Sequence, residues 1–177
     1  MTHQEHVALL KKAVEGEAGT WADLGSGEGA FTLALADLLQ AGSKIFSVDY
    51  DQEKLRKQKQ SFVNLFPKAN VEYTHADFTT PLSLPLLDGI IMANSLHFLK
   101  EKTAFLKMMK TYLTENGKFV LIEYNTDSGN PWVPYPISFQ SFTKLTQKTG
   151  FSRPELLSTI PSRFLNEIYS AFTLKSG

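Results

Sequence analysis

The chain has 177 residues, 18 basic and 18 acidic side chains that give a formal net charge of zero, and no cysteine. This length suits one domain with a sizeable core and leaves no room for the second, substrate-binding domain of most dehydrogenases. The balanced charge excludes a broad basic face for phosphates, so a small molecule is a more suitable partner than nucleic acid. The absence of cysteine excludes disulfides, a thiolate nucleophile and a cysteine zinc site.

Neither a targeting segment nor a membrane span is predicted. The first residues, Met1 to His6, lack the basic and then apolar form of a signal peptide. No apolar run approaches the roughly 20 residues that span a bilayer. We therefore expect a soluble, cytoplasmic protein with no membrane partner. We interpret residues 1–177 as a single domain with an amino-terminal segment, residues 1–19, and a core, residues 20–177. The sequence leaves the oligomeric state open.

The amino-terminal segment begins with a helix signal. Thr2 and Glu5 have the spacing of a capping box, which predicts a short helix over residues 2–14. Val7, Leu10 and Val14 recur at helical spacing and would face inward. Two interpretations remain open for this helix: an ordinary packing helix, or a lid over a ligand.

Residues 20–31, TWADLGSGEGAF, combine an apolar strand, an acid, three alternating glycines and the start of a helix predicted over residues 28–41. Glycines let the turn tighten and let a nucleotide-like ligand approach the backbone, and a helix start presents free N–H groups. Asp49 follows near the end of the next predicted strand, residues 44–50, where its carboxylate would accept both hydroxyls of a ribose. The glycine segment and Asp49 together predict a cofactor that contains adenosine.

Strands and helices continue to alternate along the chain. A polar helix over residues 51–66 ends before Pro67, and strand three covers residues 71–77. Residues 87–94 form an apolar run that suits a strand buried on both faces. A helix with Phe105, Met109 and Leu113 on one face is expected to end at Asn116 and Gly117, before a strand over residues 118–124. The alternation predicts a parallel sheet with helices on both faces.

The end of the chain departs from that alternation. A helix over residues 138–149 precedes two strands, residues 155–159 and 167–175. Their connection is shorter than the dozen or so residues of a parallel crossover, which favours an antiparallel pair.

The glycine segment has two interpretations. Read as GxGxxG/A, Gly25 to Ala30 fits the dinucleotide fingerprint, with Asp49 at about the expected ~20-residue distance, and predicts an NAD(P)-dependent oxidoreductase. Read as DxGxGxG, Asp23 to Gly29 resembles motif I of the class I S-adenosylmethionine-dependent methyltransferases. Four later segments resemble that family in the right order: Val48–Asp51, Ala76–Phe78, Leu87–Asn94 and Asn116–Glu123. The resemblance implies an α/β, Rossmann-like three-layer sandwich whose mostly parallel seven-stranded sheet has the order 3214576 and an antiparallel last strand.

The resemblance further implies S-adenosylmethionine as the cofactor and a set of residues that bind it. These residues are Asp23, Gly25, Ser26, Gly27, Gly29, Asp49, Tyr50, Asp77, Phe78 and Asn94. The glycine loop would admit the methionine and ribose portions, with Asp23 oriented toward the amino acid end and Asp49 on the ribose hydroxyls. Asn94 would lie where the carbonyls of strand four face the sulfonium and the amino group.

On the adenine side, the resemblance implies three contacts. Tyr50 would flank the ring, Asp77 would accept a hydrogen bond from the exocyclic amine, and the Phe78 N–H would meet the ring edge. Packing or turn-forming roles are the alternatives for Tyr50, Asp77 and Asn94.

Acceptor-side candidates come from the segments that follow strands four and five. His97 is a candidate general base and substrate contact, because imidazole exchanges a proton near neutral pH. Tyr124, Trp132 and Tyr135 are candidate substrate contacts, the last two in a loop stiffened by prolines. For each of them, packing against the core is the alternative. We expect no metal site, because the other histidines have no acidic partners at ligand spacing.

The sequence therefore predicts methyl transfer from S-adenosylmethionine to an unidentified small-molecule acceptor. The alternatives are an NAD(P)-dependent oxidoreductase and a non-catalytic domain that binds the cofactor or a partner.

Overall fold

The computed structural model describes residues 1–177. Its helices are α1 (His3–Val14), α2 (Ala30–Leu38), α3 (Gln52–Leu65), α4 (Lys102–Tyr112) and α5 (Phe139–Thr149). Its strands are β1 (Thr20–Leu24), β2 (Lys44–Asp49), β3 (Asn70–His75), β4 (Leu87–Ala93), β5 (Leu113–Tyr124), β6 (Glu155–Pro161) and β7 (Glu167–Leu174). A short 3-10 turn, Leu96–Phe98, follows β4. None of the helices is both long enough and apolar enough to cross a membrane.

The seven strands form one sheet with the order β3-β2-β1-β4-β5-β7-β6. The strands β1 to β5 pair in parallel, and β7 runs antiparallel to both β5 and β6. The predicted order 3214576 and the reversed last strand are confirmed. The reversal follows from the short connection between β6 and β7, because a parallel crossover needs about a dozen residues or more.

The beginning of β5 was predicted wrongly. Helix α4 ends at Tyr112, and the strand begins at Leu113 rather than at Lys118. Leu113 pairs with Leu87, and the next pair joins Lys118 to Gly89, so the strand contains an irregularity over the intervening residues. Asn116 and Gly117 therefore lie within a bulged strand, where two residues that are typical of turns are also tolerated.

Helix α2 is shorter than the predicted span of residues 28–41. It begins after Gly29, whose positive φ of 87° extends the glycine loop, and it ends at Leu38. Beyond its end, the Gln40 N–H donates to the Glu17 carbonyl and the Gln40 side chain donates to the Gly16 carbonyl. These contacts with the chain before β1 replace another helical turn. The other predicted boundaries differ from the observed ones by at most two residues.

Apolar side chains are buried on both faces of the sheet. Residues such as Ile90 and Leu121 pack with α4 and α5, while Trp21 and Val120 pack with α1 and α2. Burial on both faces explains the continuous apolar character of the central strands. Helix α1 begins with the predicted capping box, in which the Thr2 N–H donates to Glu5 Oε2 over 2.6 Å. This helix is part of the core packing, and its role as a lid stays a prediction.

The parallel strands place the candidate functional residues at one edge. β1, β2, β4 and β5 all run in the same direction, so the segments that follow their carboxyl ends meet there. β1 and β4 are neighbours although the chain visits β2 and β3 between them, which creates the crevice where open α/β sheets bind ligands.

Candidate active site

The glycine loop makes a tight turn between β1 and α2. Gly25, Gly27 and Gly29 have φ values of 76°, 57° and 87°, a region that side chains rarely enter. A Cβ atom on Gly25 would lie 2.6 Å from Ser95 Cβ and 3.1 Å from Phe78 Cε1. The loop, the segment after β3 and the segment after β4 therefore converge, as the sequence predicts.

Gly27 differs from the other two loop glycines because it faces open space. A Cβ atom at Gly27 would meet no atom within 4 Å. Its N–H donates to Asp49 Oδ2 over 2.7 Å, and the Asp51 N–H donates to Asp49 Oδ1 over 2.8 Å. These bonds aim the Asp49 carboxylate at the loop, and each of its oxygens keeps a further lone pair.

The start of α2 has no side-chain cap. Gly29 is the N-cap residue and supplies no side chain, and the first turn contains no acidic residue. The first N–H groups of a helix have no partner within the helix and carry a partial positive charge. The end of the glycine loop therefore offers hydrogen-bond donors toward the crevice.

A buried polar network supports the loop from below. Thr32 Oγ1 donates to Asp23 Oδ2 over 2.6 Å and accepts from Gln58 Nε2. Ser47 Oγ lies 2.5 Å from Gln58 Oε1 and 2.8 Å from Ser26 Oγ. All five side chains are buried. The network links β1, the glycine loop, α2, β2 and α3 into one polar unit.

Gln58, which the sequence analysis did not predict, is the side chain in most direct contact with the glycine loop. A Cβ atom at Gly29 would overlap the Gln58 side chain, 2.2 Å from Cγ, so the glutamine packs against the bare backbone of the loop. One signal was present in the sequence. Gln58 occupies an inward position of α3, between Leu55 and Phe62, and a polar residue at such a position has to find hydrogen bonds.

Asp23 lies within this network. Burial raises the pKa of the Asp23 carboxyl to about 7, the hydrogen bond from Thr32 opposes the rise, and the charge of Asp49 adds to it. Only its Oδ2 has a hydrogen-bond partner in the chain. Asp23 is thus a supporting acid beneath the loop, with one oxygen left for a further contact.

Asn94 follows β4 in a strained backbone conformation. Its φ is 52°, and it is one of two non-glycine residues with a positive value. The side-chain oxygen Oδ1 is fully buried and has no hydrogen-bond partner. A buried acceptor without a donor costs about 1–3 kcal/mol. The strain and the unpaired oxygen coincide at the position predicted to face the cofactor.

The predicted adenine-side residues lie on the segments after β2 and β3. Tyr50 is 69% exposed. Asp77 is also exposed, and its Oδ1 accepts from the Thr79 N–H over 2.8 Å, so it forms the turn cap that was the alternative role. The Phe78 ring is buried against Phe105, whereas its backbone N–H has no acceptor in the chain. That free N–H suits the edge of a purine ring.

His97 forms a buried pair with Glu123, a contact that the sequence analysis did not predict. His97 Nδ1 lies 2.9 Å from Glu123 Oε1 and 3.0 Å from Oε2. The backbone N–H groups of His97 and Tyr124 also donate to this carboxylate. Glu123 is fully buried and His97 is 3% exposed. The pair ties the turn after β4 to the end of β5.

The carboxylate selects the tautomer of the neutral imidazole ring. A carboxylate only accepts hydrogen bonds, so Nδ1 of His97 carries the hydrogen and Nε2 presents a lone pair. Nε2 has no hydrogen-bond partner in the chain. The only fully buried side-chain nitrogen or oxygen atoms without a hydrogen-bond partner are Ser43 Oγ and Asn94 Oδ1. His97 Nε2 is not one of them, so it retains contact with solvent. His97 therefore has the geometry of a base supported by an acid.

The loop between β5 and α5 carries Trp132 and Tyr135, the two predicted substrate contacts. The Trp132 ring is 71% exposed. The Tyr135 backbone N–H donates to the His97 carbonyl over 2.9 Å, and its carbonyl accepts from the Lys102 ammonium over 2.7 Å. The Tyr135 ring lies near Lys102. Tyr135 thus contacts the site through its backbone, whereas the Tyr124 ring lies 5.9 Å from the His97 ring.

Comparisons with known proteins agree with this geometry. The sequence matches the methyltransferase domain family over residues 16–160. No curated protein matches it. The fold is similar to that of the YcgJ protein from Bacillus subtilis, with a TM-score of 0.78, 13% identity and coverage of 99% of this chain and 100% of that chain.

Two further solved structures share the fold. A SAM-dependent methyltransferase from Aquifex aeolicus has a TM-score of 0.75 and 19% identity over 97% of this chain and 89% of its own. The 1,6-didemethyltoxoflavin-N1-methyltransferase from Burkholderia thailandensis, solved with bound 1,6-didemethyltoxoflavin and S-adenosylhomocysteine, has a TM-score of 0.77 and 14% identity over 99% of this chain and 78% of its own. The family match covers most of the sequence, so the oxidoreductase alternative is set aside: the protein belongs to the methyltransferase domain family and is a class I S-adenosylmethionine-dependent methyltransferase.

Proposed function

We propose that this protein transfers a methyl group from S-adenosylmethionine to a small-molecule acceptor at the crevice beside β1 and β4. The observation that carries the proposal is the convergence of the glycine loop with the segment after β4, seen where Gly25 lies against Ser95. The loop has open backbone at Gly27, and the segment after β4 has an unpaired buried acceptor at Asn94. The first leaves room for a ligand, and the second lacks a donor that the ligand would supply. Bound S-adenosylmethionine supplies a methyl group that is already activated by its sulfonium.

The residues present fit this cofactor. Asp49 would accept the ribose hydroxyls with its remaining lone pairs, next to the open face of Gly27. The uncapped start of α2 would meet the methionine carboxylate. Asn94 Oδ1 and the free oxygen of Asp23 are acceptors for the methionine ammonium.

On the adenine side we propose that Tyr50 covers the ring and that the Phe78 N–H donates to its edge. The exposure of Tyr50 and the unpaired N–H of Phe78 support this assignment. Asp77 would accept from the exocyclic amine with the carboxylate oxygen that the Thr79 N–H leaves free.

His97 is proposed as the general base. A base assists methyl transfer only when the acceptor arrives protonated, because the nucleophile needs a free electron pair in line with the methyl group. Nε2 of His97 offers the required lone pair, and Glu123 would stabilise the imidazolium that forms. Glu123 acts through His97 and is therefore a positioning residue.

A small acceptor is favoured over a macromolecule. The zero net charge offers no field for a nucleic acid, and Tyr124 offers an apolar contact close to His97. We propose that residues 1–177 act as one domain, with α1 as a lid. The absence of cysteine fits the reducing cytoplasm, where we place the activity.

Calorimetry with S-adenosylhomocysteine and with NAD tests the cofactor assignment. We expect saturable binding of S-adenosylhomocysteine and none of NAD, in the wild type and in the Gly42→Ala variant, whose site lies at the opposite edge of the sheet. Binding of NAD without binding of the thioether would overturn the assignment. Cofactor binding without methyl transfer to any member of a broad acceptor panel would instead support a non-catalytic cofactor-binding domain.

A further inference from the structure

Aromatic rings continue outward from the His97 and Glu123 pair. The rings of Phe98 and Tyr124 lie 4.3 Å and 5.9 Å from the His97 ring, centroid to centroid. Phe164 lies 6.0 Å from Tyr124, and Trp132 lies 6.2 Å from Phe164. We call the four residues Phe98, Tyr124, Phe164 and Trp132 the aromatic strip. Trp132, Phe164 and Tyr124 contact in sequence and lead to the His97 ring, which Phe98 contacts separately.

The strip is exposed to an unusual degree for large apolar rings. Phe98, Phe164 and Trp132 are 61%, 49% and 71% exposed. Single exposed apolar residues are ordinary, but rings from four separate segments that contact one another or the His97 ring form a patch, and such patches mark binding sites. The four segments are the turn after β4, the end of β5, the loop before α5 and the turn between β6 and β7.

Hydrogen bonds order the backbone of the two turns that carry the outermost rings. The Asn130 side chain accepts from the Trp132 N–H and the Val133 N–H, both over 2.9 Å. Ser162 Oγ accepts from the Phe164 N–H over 3.1 Å, and the Ser162 N–H donates to the Asn166 carbonyl. A ligand that stacks on these rings therefore does not have to order the two turns on binding, which lowers the entropic cost.

The aromatic rings and the neighbouring base together indicate which kind of molecule the strip binds. Aromatic rings prefer offset-stacked or edge-to-face contact with another ring, so the strip favours a flat aromatic molecule. The base at its inner end selects the group that is methylated. An aromatic amine already carries a free electron pair, whereas an aromatic hydroxyl has a proton that must leave, and His97 Nε2 is placed to take it.

We propose that the methyl acceptor is a planar aromatic molecule that carries a hydroxyl group, and that its ring lies along the aromatic strip with the hydroxyl at His97 Nε2. This inference rests on the proposed methyltransferase function. In the step, a C–O bond forms between the acceptor oxygen and the methyl carbon while the C–S bond breaks, and its electron pair stays on sulfur. The hydroxyl proton moves to His97 Nε2 and is later released to water, so the products are an aryl methyl ether and the thioether.

The test measures binding of 2-naphthol to the protein saturated with S-adenosylhomocysteine, with decahydro-2-naphthol as the saturated analogue. We expect saturable binding of 2-naphthol and at least tenfold weaker binding of the saturated alcohol. Trp132→Ala and Phe164→Ala should each weaken 2-naphthol binding by about fivefold, the scale of one aromatic contact. Leu65→Ala, which truncates a residue that is 63% exposed outside the aromatic strip, should leave it unchanged.

The outcomes separate this inference from the proposed function. Equal binding of the two alcohols, or no binding of 2-naphthol while S-adenosylhomocysteine binds, would overturn the aromatic acceptor and leave the cofactor assignment standing. Failure of S-adenosylhomocysteine to bind would overturn the proposed function itself.

Activity supplies a second measurement. With S-adenosylmethionine present, 2-naphthol should yield its methyl ether, and Trp132→Ala should raise KM for 2-naphthol more than it lowers kcat. A monomer–dimer equilibrium of the wild type that Trp132→Ala abolishes would overturn the inference, because it would show that the strip is covered by a second copy of the chain.

Discussion

The two halves of the sheet's carboxyl edge use different kinds of residues. On the β1 and β2 side, the site consists of bare glycine backbone supported by polar side chains. These side chains form the buried network that links Asp23 to Ser26 through Thr32, Gln58 and Ser47. On the β4 and β5 side, one buried hydrogen-bonded pair, His97 and Glu123, is followed outward by exposed aromatic rings.

The difference reflects what each half has to recognise. A cofactor with a ribose, an ammonium and a carboxylate needs many fixed donors and acceptors, which only a supported backbone can place accurately. An apolar acceptor needs area and one reactive contact. The comparison predicts that substitutions on the first half change cofactor affinity, whereas those on the second change turnover and acceptor binding.

His97→Ala gives the largest expected effect. Removal of the base should lower kcat with a hydroxyl acceptor by about 10²- to 10⁴-fold, the usual contribution of general base catalysis. Affinity for S-adenosylhomocysteine should stay the same, because His97 lies on the acceptor half. Single-turnover rates and calorimetry measure the two quantities.

His3→Ala is the matched control, since His3 is an exposed histidine that contacts Asp37 far from Glu123 along the chain. An unaffected rate in His97→Ala would return His97 to a packing role. Glu123→Gln should also lower kcat at unchanged cofactor affinity, because an amide lets the ring adopt the wrong tautomer.

Asp49→Ala gives the next largest expected effect, and it tests the β1 and β2 side, where the cofactor is proposed to bind. The variant removes the acceptor for the ribose hydroxyls and for the Gly27 N–H, so affinity for S-adenosylhomocysteine should fall by about 1 to 3 kcal/mol. Calorimetry of Asp77→Ala provides a graded comparison, because Asp77 is exposed and its loss should cost less. Unchanged affinity in Asp49→Ala would remove Asp49 from the ribose.

Local signals account for the parts of the protein that the sequence predicts well. The glycines, Asp23 and Asp49 lie in two short segments whose spacing alone places them at the ends of neighbouring strands. The antiparallel β7 follows from the length of one connection. Such features depend on a few adjacent residues, so the chain order determines them.

Contacts between distant segments account for the parts that the sequence does not predict. The pairing of Glu123 with His97 is one such contact, because it joins a residue on β5 to a residue after β4. Phe164 lies in a turn, and only the arrangement of three other segments brings it against Trp132. The irregularity at the start of β5 depends on the pairing of Leu113 with Leu87. The sequence does not indicate this pairing, because Asn116 and Gly117 are typical of a turn.

Gly27→Ala sharpens the comparison through a smaller change. A methyl group there meets no protein atom, so the variant should fold, yet it would enter the space proposed for the cofactor and weaken S-adenosylhomocysteine by about tenfold, the scale of a one-methyl overlap. Gly42→Ala is the control, because Gly42 also has a positive φ and an open surrounding. Both variants should lose about 1–2 kcal/mol of stability from backbone strain. Equal cofactor affinity in the two would show that the face of Gly27 is not occupied.

Asp23→Asn is expected to change how the free energy of unfolding depends on pH. The pKa of Asp23 is about 7 in the folded protein, against a reference value of 3.8. Between these values the folded state holds a proton that the unfolded state has lost, so the free energy of unfolding should fall as pH rises, by about 1.4 kcal/mol per pH unit. Asparagine still accepts the Thr32 hydrogen bond and does not titrate, so the variant should lose this slope. Urea unfolding at pH 5 and pH 7 measures the difference, and Asp77→Asn, at an exposed carboxyl, is the control. Parallel stability curves for the wild type and Asp23→Asn would show that Asp23 is ionised in the folded protein, and the network would then have to be assigned with a charged carboxylate at its centre.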